Sequence, residues 1–537
     1  MDSESKDLIF HVYTHEVDFR DPYSIERYAK HLEGMTFQDV LDLGIYPRVP
    51  EEERNGGGAD VDDTSDIDLD DDTESAKGSA GYSSSSRKGG LGNLIEERYF
   101  GYRANSDERP DFPEAGIELK CTCYDCRKSG RIAAGERLVI TMVHYDRAVQ
   151  EDLYESPVWE KLSSILLIFY ERDKSLKRYD QTIRYVALFS PPEEDLKVIE
   201  DDYRRIAQLV MQGRADEISE GMTNYLGACT KGANEKTMWV SQFYWPHRKA
   251  KRRAFCLKQG YMDYVLHKYV IGDEEAAEPI VKDLGELGER TLERYVVDTV
   301  RRYVGKTDKE LCAEFDIPYT NNKAQWTTIS YRMLGIHGGR AEEFEKAGIS
   351  VRSIRARHGK NAVTESLSLD PFEFDDLMAE PCWEESALDA FLEGTRFFFV
   401  VFEEGAEKGD PCTLIGAMFW SMPSEIIDCQ ARRCWEETRE SVERGADLRL
   451  SWTSNGKPVI RNGLPGMKEN PYVHVRNHAA ESYYRAKGMP ELGDNPKFGS
   501  RLPNGDVMTK QSFWIGHRVL ELIVTEIRCD SSKDGAK

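Results

Sequence analysis

The sequence predicts an α/β protein built from two tandem domains of one fold, each a mixed sheet flanked by helices. Three observations carry that expectation. Helix-period and strand-like segments alternate along the chain. Short motifs of the first half return in the second half in the same order. The chain has 537 residues, 40% of them hydrophobic, which supplies cores for about three average domains, or two large ones with appendages.

Residues 23–45 read as two short helices. Ile25, Tyr28 and Leu32 recur at helical spacing, and Thr36 is placed to cap the next helix. Residues 51–90 are rich in Asp, Gly and Ser; such a segment buries too little apolar surface to offset its ordering entropy, so a disordered insert is expected there. From Gly92 a helix is predicted, then a loop punctuated by Pro110, Pro113 and Gly116. Strands are predicted over Ile117–Tyr124, Arg137–Tyr145, Ile165–Glu171 and Tyr185–Phe189, and helices over 193–222. The domains expected are a helical N-terminal part at 1–50, the insert at 51–90, a first domain at 91–275 and a second at 276–537.

The longest apolar runs, Ile165–Tyr170 and Phe397–Phe402, have six residues; a membrane helix needs about 20, so no membrane association is expected. No apolar leader follows Met1, and a cytoplasmic location is the default expectation. Net charge is −24, which by itself argues against nucleic acid. The charge is uneven, however: residues 51–76 hold twelve acids and one base, a local −11. The stretch Tyr225–Tyr269 is instead dense in bases, including Lys231, Lys236, Arg248, Lys249, Lys251, Arg252, Arg253 and Lys258, with Trp239, Phe243, Tyr244 and Trp245 interleaved. That chemistry suits phosphates and base edges; the competing reading is a solvated surface over an aromatic core. Eleven cysteines without a leader read as reduced thiols. Cys121, Cys123 and Cys126 cluster, but no second ligand pair accompanies them, so ordinary thiols are favoured over zinc.

The internal repeat is specific. A-G-I-E-L-K at 115–120 answers A-G-I-S-V-R at 347–352, and Asp111-Phe112 answers Glu343-Phe344 at the same offset of 232. Trp159-Glu160 is matched with Trp383-Glu384, the strand at Ile165 with that at Phe397, Tyr225…Lys231 with Tyr472…His478, and Phe255 with Phe513.

The sharpest chemical signal is Asp111, six intervening residues, then Glu118-Leu119-Lys120. Glu118 and Lys120 are two apart on a strand and so leave the same face. Two carboxylates and an ammonium on one face suit metal-assisted phosphodiester cleavage: carboxylate oxygens hold Mg²⁺, the metal polarises the phosphate, and the lysine offsets developing charge. The same pattern also fits an edge strand with Ile and Leu inside and a solvated Glu/Lys pair outside.

G-N-L-I-E-E-R-Y-F-G-Y at 92–102 followed by R-P-D-F-P-E-A-G-I-E-L-K at 109–120 resembles the MutH-type endonucleases of the PD-(D/E)xK fold, and within them the two-domain restriction enzymes of the Sau-three-A-I type, which cut at GATC. S-E-G-M-T-N-Y-L at 219–226 and M-T-K-Q-S-F-W-I at 508–515 extend the resemblance over nearly the whole chain outside the insert. It implies that Asp111 and Glu118 bind the metal, Lys120 is the catalytic lysine, Glu96 supports the site and Lys161 is a second active-site lysine. It further implies that Lys231 contacts bases, with Arg252 and Lys258 beside it in the basic strip. Cys256 stands where the mismatch-repair relative has a tyrosine that senses adenine methylation, so that property does not carry across.

In the second half Glu118 is answered by Ser350, Lys120 by Arg352, Asp111 by Glu343, and Lys161 by Glu385. Serine does not replace an anionic metal ligand, so this half is expected to be catalytically inactive. It keeps Arg476, His478 and Lys510 as groups able to contact DNA; His474 and His478, four apart, lack further zinc ligands. The expectation is a Mg²⁺-dependent type II restriction endonuclease cutting double-stranded DNA at GATC to leave 5′-phosphate and 3′-hydroxyl ends. Two chains would assemble as a dimer on DNA, and a cognate DNA methyltransferase would be encoded nearby. A strand-nicking mismatch-repair endonuclease and a non-cleaving DNA-binding regulator are the alternatives.

Overall fold

The structure is a computed structural model that describes residues 17–43, 90–101, 108–127, 130–231, 238–273, 277–288, 290–320 and 322–534. The acidic insert expected at 51–90 lies outside the described residues, except that Gly90 opens a helix. The chain divides into two compact units. The first comprises residues 1–218, 223–276 and 345–348; the second comprises 219–222, 277–344 and 349–537. No described helix is long and apolar enough to cross a membrane.

The first unit opens with α1 (Pro22–Ala29) and α2 (Phe37–Asp42). Thr36 and Asp39 close a reciprocal capping box on α2, which satisfies two amides at its N-terminus. Helix α3 (Gly90–Leu94) continues through a wider π turn, Ile95–Phe100. The sheet strands are β1 (Glu118–Cys126) and β2 (Ile132–Ala134); β3 (Leu138–Met142) follows, then α4 (Pro157–Leu162), β4 (Ile165–Glu171) and β5 (Thr182–Phe189). The central sheet has the order β2-β1-β4-β5, with β1 parallel to β4 and the other pairs antiparallel. Ile25, Phe37, Leu94, Phe100, Phe112, Leu119, Leu166 and Ile168 form one buried cluster that holds the helices against this sheet.

Helix α5 (Glu193–Met211) follows, and its buried stripe runs from Val198 to Val210. Of the helices expected over 193–222, α5 ends at Met211 where its apolar stripe ends, and two short 3₁₀ turns, Ala215–Glu217 and Glu220–Met222, follow it. Then come β6 (Leu226–Thr230), β7 (Trp239–Ser241), β8 (Lys249–Lys251), β9 (Arg253–Leu257) and α6 (Gln259–Val265). β3 leaves the central sheet and joins a second one, β3-β9-β6, while β7 and β8 form a hairpin. The segment Arg137–Tyr145 is thus a strand, but of the arm rather than of the central sheet.

The second unit follows the same order with added elements: α7 (Leu292–Arg301), α8 (Asp308–Glu314), α9 (Lys323–Met333), α10 (Glu342–Ala347, whose last three residues belong to the first unit), β10 (Ile349–Ala356), β11 (Leu367–Phe372), α11 (Ala387–Gly394), β12 (Arg396–Glu403), β13 (Thr413–Trp420), α12 (Arg432–Glu443), β14 (Arg449–Trp452), β15 (Pro458–Arg461), β16 (Val473–Asn477), β17 (Gly499–Arg501), β18 (Val507–Thr509), β19 (Gln511–Ile515) and α13 (His517–Asp534). Its central sheet is β10-β12-β13 and its arm sheet β11-β19-β16. Registers agree residue by residue. Glu118 faces Ile165 and Ser350 faces Phe397; Ala228 faces Phe255 and Val475 faces Phe513. A capping box starts α8 at Thr307, as one starts α2 at Thr36.

One proposed match shifts. Trp383–Glu385 is a 3₁₀ turn that corresponds to Leu153–Glu155, each followed by a serine N-cap, Ser386 or Ser156. Trp159-Glu160 therefore does not answer Trp383-Glu384. Lys161 stands four residues before Ile165; four before Phe397 stands Glu393, buried in α11, so Glu393 replaces Glu385 as its counterpart.

Candidate active site and DNA-facing arm

Glu118 begins β1 and is only 2% exposed. Its Oε1 accepts from Lys120 Nζ at 2.5 Å and faces Lys161 Nζ at 3.4 Å. Its Oε2 is buried with no hydrogen-bond partner. Strand alternation puts Lys120 on the face of Glu118, while Lys161, on α4, lies within the buried part of the site.

Asp111 is fixed by the loop that precedes β1. Phe112 and Ile117 exchange backbone hydrogen bonds at 2.9 and 3.2 Å, and Gly116 takes φ +66°, a left-handed conformation that favours glycine. Phe112 is buried with its ring edge-on to Phe100 at 5.1 Å. The loop so held turns Asp111 back to accept from the Leu119 amide at 2.8 Å. Glu96, on the π turn, joins the same group. Burial and then the Asp111 charge push its carboxyl up to about 7; burial and then Glu118 also raise Asp111.

The structure thus brings together all five residues expected to carry chemistry. Three carboxylates meet two ammonium groups, which leaves an excess of negative charge in a poorly solvated place. Among the described residues no three His, Cys, Asp or Glu side chains form a ready metal cage. Mg²⁺, however, is usually held by one or two carboxylates with water and substrate phosphate completing its shell. The unpartnered Glu118 Oε2, the adjacent Asp111 and the raised carboxyls fit such a hard divalent cation. Cys123 lies on the same strand, but burial pushes its thiol up to about 11, so it is not a ready anionic ligand.

The basic strip is not uniform. Lys231 follows β6 and its amide donates to the Arg252 carbonyl at 2.8 Å; both side chains are half-buried. Lys249 is exposed, as are Trp239, Phe243 and Trp245. Arg248 pairs with Asp216 at 2.6 Å. Lys258 corrects the expectation: it is 3% exposed and its Nζ donates to the Thr223 carbonyl at 2.7 Å, so it fastens the arm and does not face DNA. Arg253, likewise buried, donates to the Ala228 carbonyl. Cys256 is fully buried between the other two arm strands. Lys236 lies outside the described residues.

In the second unit the equivalent places are altered throughout. Glu343 is buried in α10 and accepts from the amides of Ile280 and Val281 at 2.8 Å each. Arg352 donates to the Val351 carbonyl. Counting back from the left-handed glycines Gly101 and Gly335, Glu96 is answered by Ser330, whose hydroxyl donates to the Trp326 carbonyl; sequence reading did not find this fifth replacement, although the two glycines mark it. In the arm, the His478 amide donates to the Lys510 carbonyl at 2.8 Å, the same link as Lys231 to Arg252. Arg476 is exposed with its guanidinium 4.9 Å from the Trp514 ring centroid. Lys510 pairs with Glu373 at 2.6 Å, and the His478 ring hydrogen-bonds the Ser512 hydroxyl. His474 is buried, and burial followed by the Arg476 charge lowers its pKa to about 4.

Comparison with known proteins identifies relatives of the chain. The family model described as DNA mismatch repair enzyme MutH matches residues 100–202. The type II restriction enzyme Sau3AI of Staphylococcus aureus is 33% identical over 458 residues, 80% of this chain and 91% of that enzyme. DNA mismatch repair protein MutH of Serratia proteamaculans is 30% identical over 154 residues, 28% of this chain and 64% of the relative. The Vibrio campbellii protein of the same name is 27% identical over 190 residues, 34% and 80% of the two chains. The chain belongs to the MutH-like family of DNA-cleaving enzymes, together with the type II restriction enzyme Sau3AI.

Proposed function

We propose that this protein is a Mg²⁺-dependent type II restriction endonuclease that hydrolyses both strands of duplex DNA at GATC, with all the chemistry in the first unit. The observation that carries this reading is the buried, unpartnered Oε2 of Glu118 beside Asp111, with Lys120 and Lys161 on the other oxygen. Bound Mg²⁺ would sit on Asp111 and Glu118 and supply Lewis-acid polarisation of the scissile phosphate. Lys120 Nζ is placed to orient a water on the strand face it shares with Glu118. Lys161 adds positive charge where charge develops. Glu96 accepts or holds a proton at the edge of the group. Lys231 and Arg252 of the first arm, and Arg476, His478 and Lys510 of the second, are the DNA-contacting candidates.

Residues 91–275 then form the catalytic domain and 276–537 an inactive DNA-binding or effector domain. One catalytic set per chain cuts one strand, so two chains assemble on DNA for a double-strand break. GATC specificity rests on the likeness to the GATC-cutting enzymes, and a cognate DNA methyltransferase encoded nearby would protect the host sites. A strand-nicking repair enzyme is disfavoured because the match to the restriction enzyme spans both units, whereas the MutH matches cover about a third of the chain. Purified protein incubated with unmethylated plasmid separates the readings. Fragments ending at GATC with Mg²⁺, and none with EDTA, are expected; nicked circles alone, or bound but uncut plasmid, would contradict the proposal.

A further inference from the structure

The second unit contains a ribbon that has no counterpart in the first. Between α12 and β16 the chain forms an antiparallel ribbon, β14–β15, whereas between α5 and β6 the first unit has no strand. The ribbon is a built feature. Ile460 is buried in the core of its unit and Leu448 packs on the same cluster, while the Gly463 amide donates to the Ala446 carbonyl at 2.8 Å across its base. Its turn closes when the amides of Thr453 and Gly456 donate to the carbonyls of Lys457 and Thr453, at 2.9 Å each. Gly456 at φ +70° supplies the left-handed residue that such a hairpin loop requires.

Its charges are arranged against its own stability. Arg449 and Arg461 are direct cross-strand neighbours, so both side chains share one face, and both are exposed. Like charges directly opposite destabilise a strand pair. Neither arginine makes an ion pair among the described residues, in a chain of net charge −24 with abundant acids to recruit. The alternation of the strands places Ser451 and Val459 on that face as well, and Lys457 is exposed at the tip. On the other face Trp452 projects beyond the core, 65% exposed.

We propose that the β14–β15 ribbon is a duplex-DNA contact of the second unit, with Arg449, Arg461 and Lys457 on phosphates and Trp452 against the sugar or base edges. A two-stranded ribbon fits the major groove, and an unpaired arginine pair calls for an anionic partner. This inference rests on the proposed DNA-cleaving function and adds to it a contact outside the arm that both units share.

The test uses the full chain in EDTA, so that DNA is bound but not cut, with affinity for a GATC duplex measured from 50 to 300 mM KCl. Each lost phosphate contact lowers the slope of log affinity against log salt by about 0.9. Arg449→Ala with Arg461→Ala should therefore flatten the slope by about 2, and Lys at both positions should keep it. Because a like-charge pair is removed, the alanine variant should melt no lower than wild type, which separates lost binding from lost folding. Unchanged slope and affinity in that variant would overturn the proposal. So would loss of self-association in sedimentation with DNA affinity intact, which would make the ribbon a protein interface. Failure of the wild-type chain to bind DNA would instead count against the proposed function.

Discussion

The Leu119 amide donates to Asp111 Oδ2 at 2.8 Å, which ties one carboxylate to the backbone of the strand that carries the other. The geometry of the pair is thus set by a main-chain hydrogen bond as well as by any bound cation. Asn at 111 keeps an oxygen to accept that bond and loses the charge. Asp111→Asn should melt within a few degrees of wild type, yet cleave at least about 10²-fold more slowly, the scale of one lost electrostatic stabiliser. Calorimetry and a single-turnover assay on the same preparation check both halves.

Glu96 gives a pH signature. Its carboxyl is pushed up to about 7 by burial and by Asp111. A carboxyl raised in the folded state disfavours folding once ionised, so its contribution to stability is lost as pH rises from its unfolded range, near 4.5, through about 7. Without metal, Tm should fall across that window, and Glu96→Gln should flatten the fall. Mg²⁺ should raise Tm more at pH 8 than at pH 6, because the ionised group is the one a cation favours. Equal Mg²⁺ effects at both pH values would remove Glu96 from the metal site's surroundings.

Restoring the two strand positions of the second unit should not revive it. In a Glu118→Ala background, Ser350→Glu with Arg352→Lys recreates the strand motif. Glu343 nevertheless stays committed to the Ile280 and Val281 amides, and Ser330 stands in place of Glu96. Cleavage should remain at the level of Glu118→Ala alone; recovery to within tenfold of wild type would mean that the other replacements do not matter.

A buried ion pair makes a separate prediction for the fold. Lys346 Nζ lies 2.6 Å from Asp195 Oδ1 within the first unit, with side chains 3% and 2% exposed, and its ammonium sits 4.1 Å from the Tyr264 ring centroid. Lys346→Met leaves Asp195 charged and buried and should cost about 3–5 kcal/mol. Adding Asp195→Asn should recover part of that. Urea midpoints of the two variants provide the check.

The central strands were legible because their chemistry is local. Ile165–Tyr170 is an unbroken apolar run and Glu118–Lys120 alternates, so both the strand and its charged face could be read from neighbouring residues. The arm was not legible in the same way. β3 pairs with β9, more than a hundred residues later, and nothing within Arg137–Tyr145 shows that it leaves the central sheet. Every residue of β9 is buried, so no alternation separates the bases that face outward from Arg253 and Lys258, which serve the interior. The match of Lys161 to Glu385 failed because α11 has eight residues where α4 has six; a length change inside a helix is invisible to short motif matching, but a strand register exposes it.

The assignment of the chemistry to Glu118 is decided by single-turnover cleavage of an unmethylated GATC duplex with Mg²⁺ by Glu118→Ala, run beside a gel shift of the same protein in EDTA. Cleavage should fall at least about 10²-fold with DNA affinity largely retained, since the carboxylate is buried in the candidate site and the DNA-contacting candidates lie on the arms. Cleavage within about tenfold of wild type would contradict the assignment of the chemistry to this site.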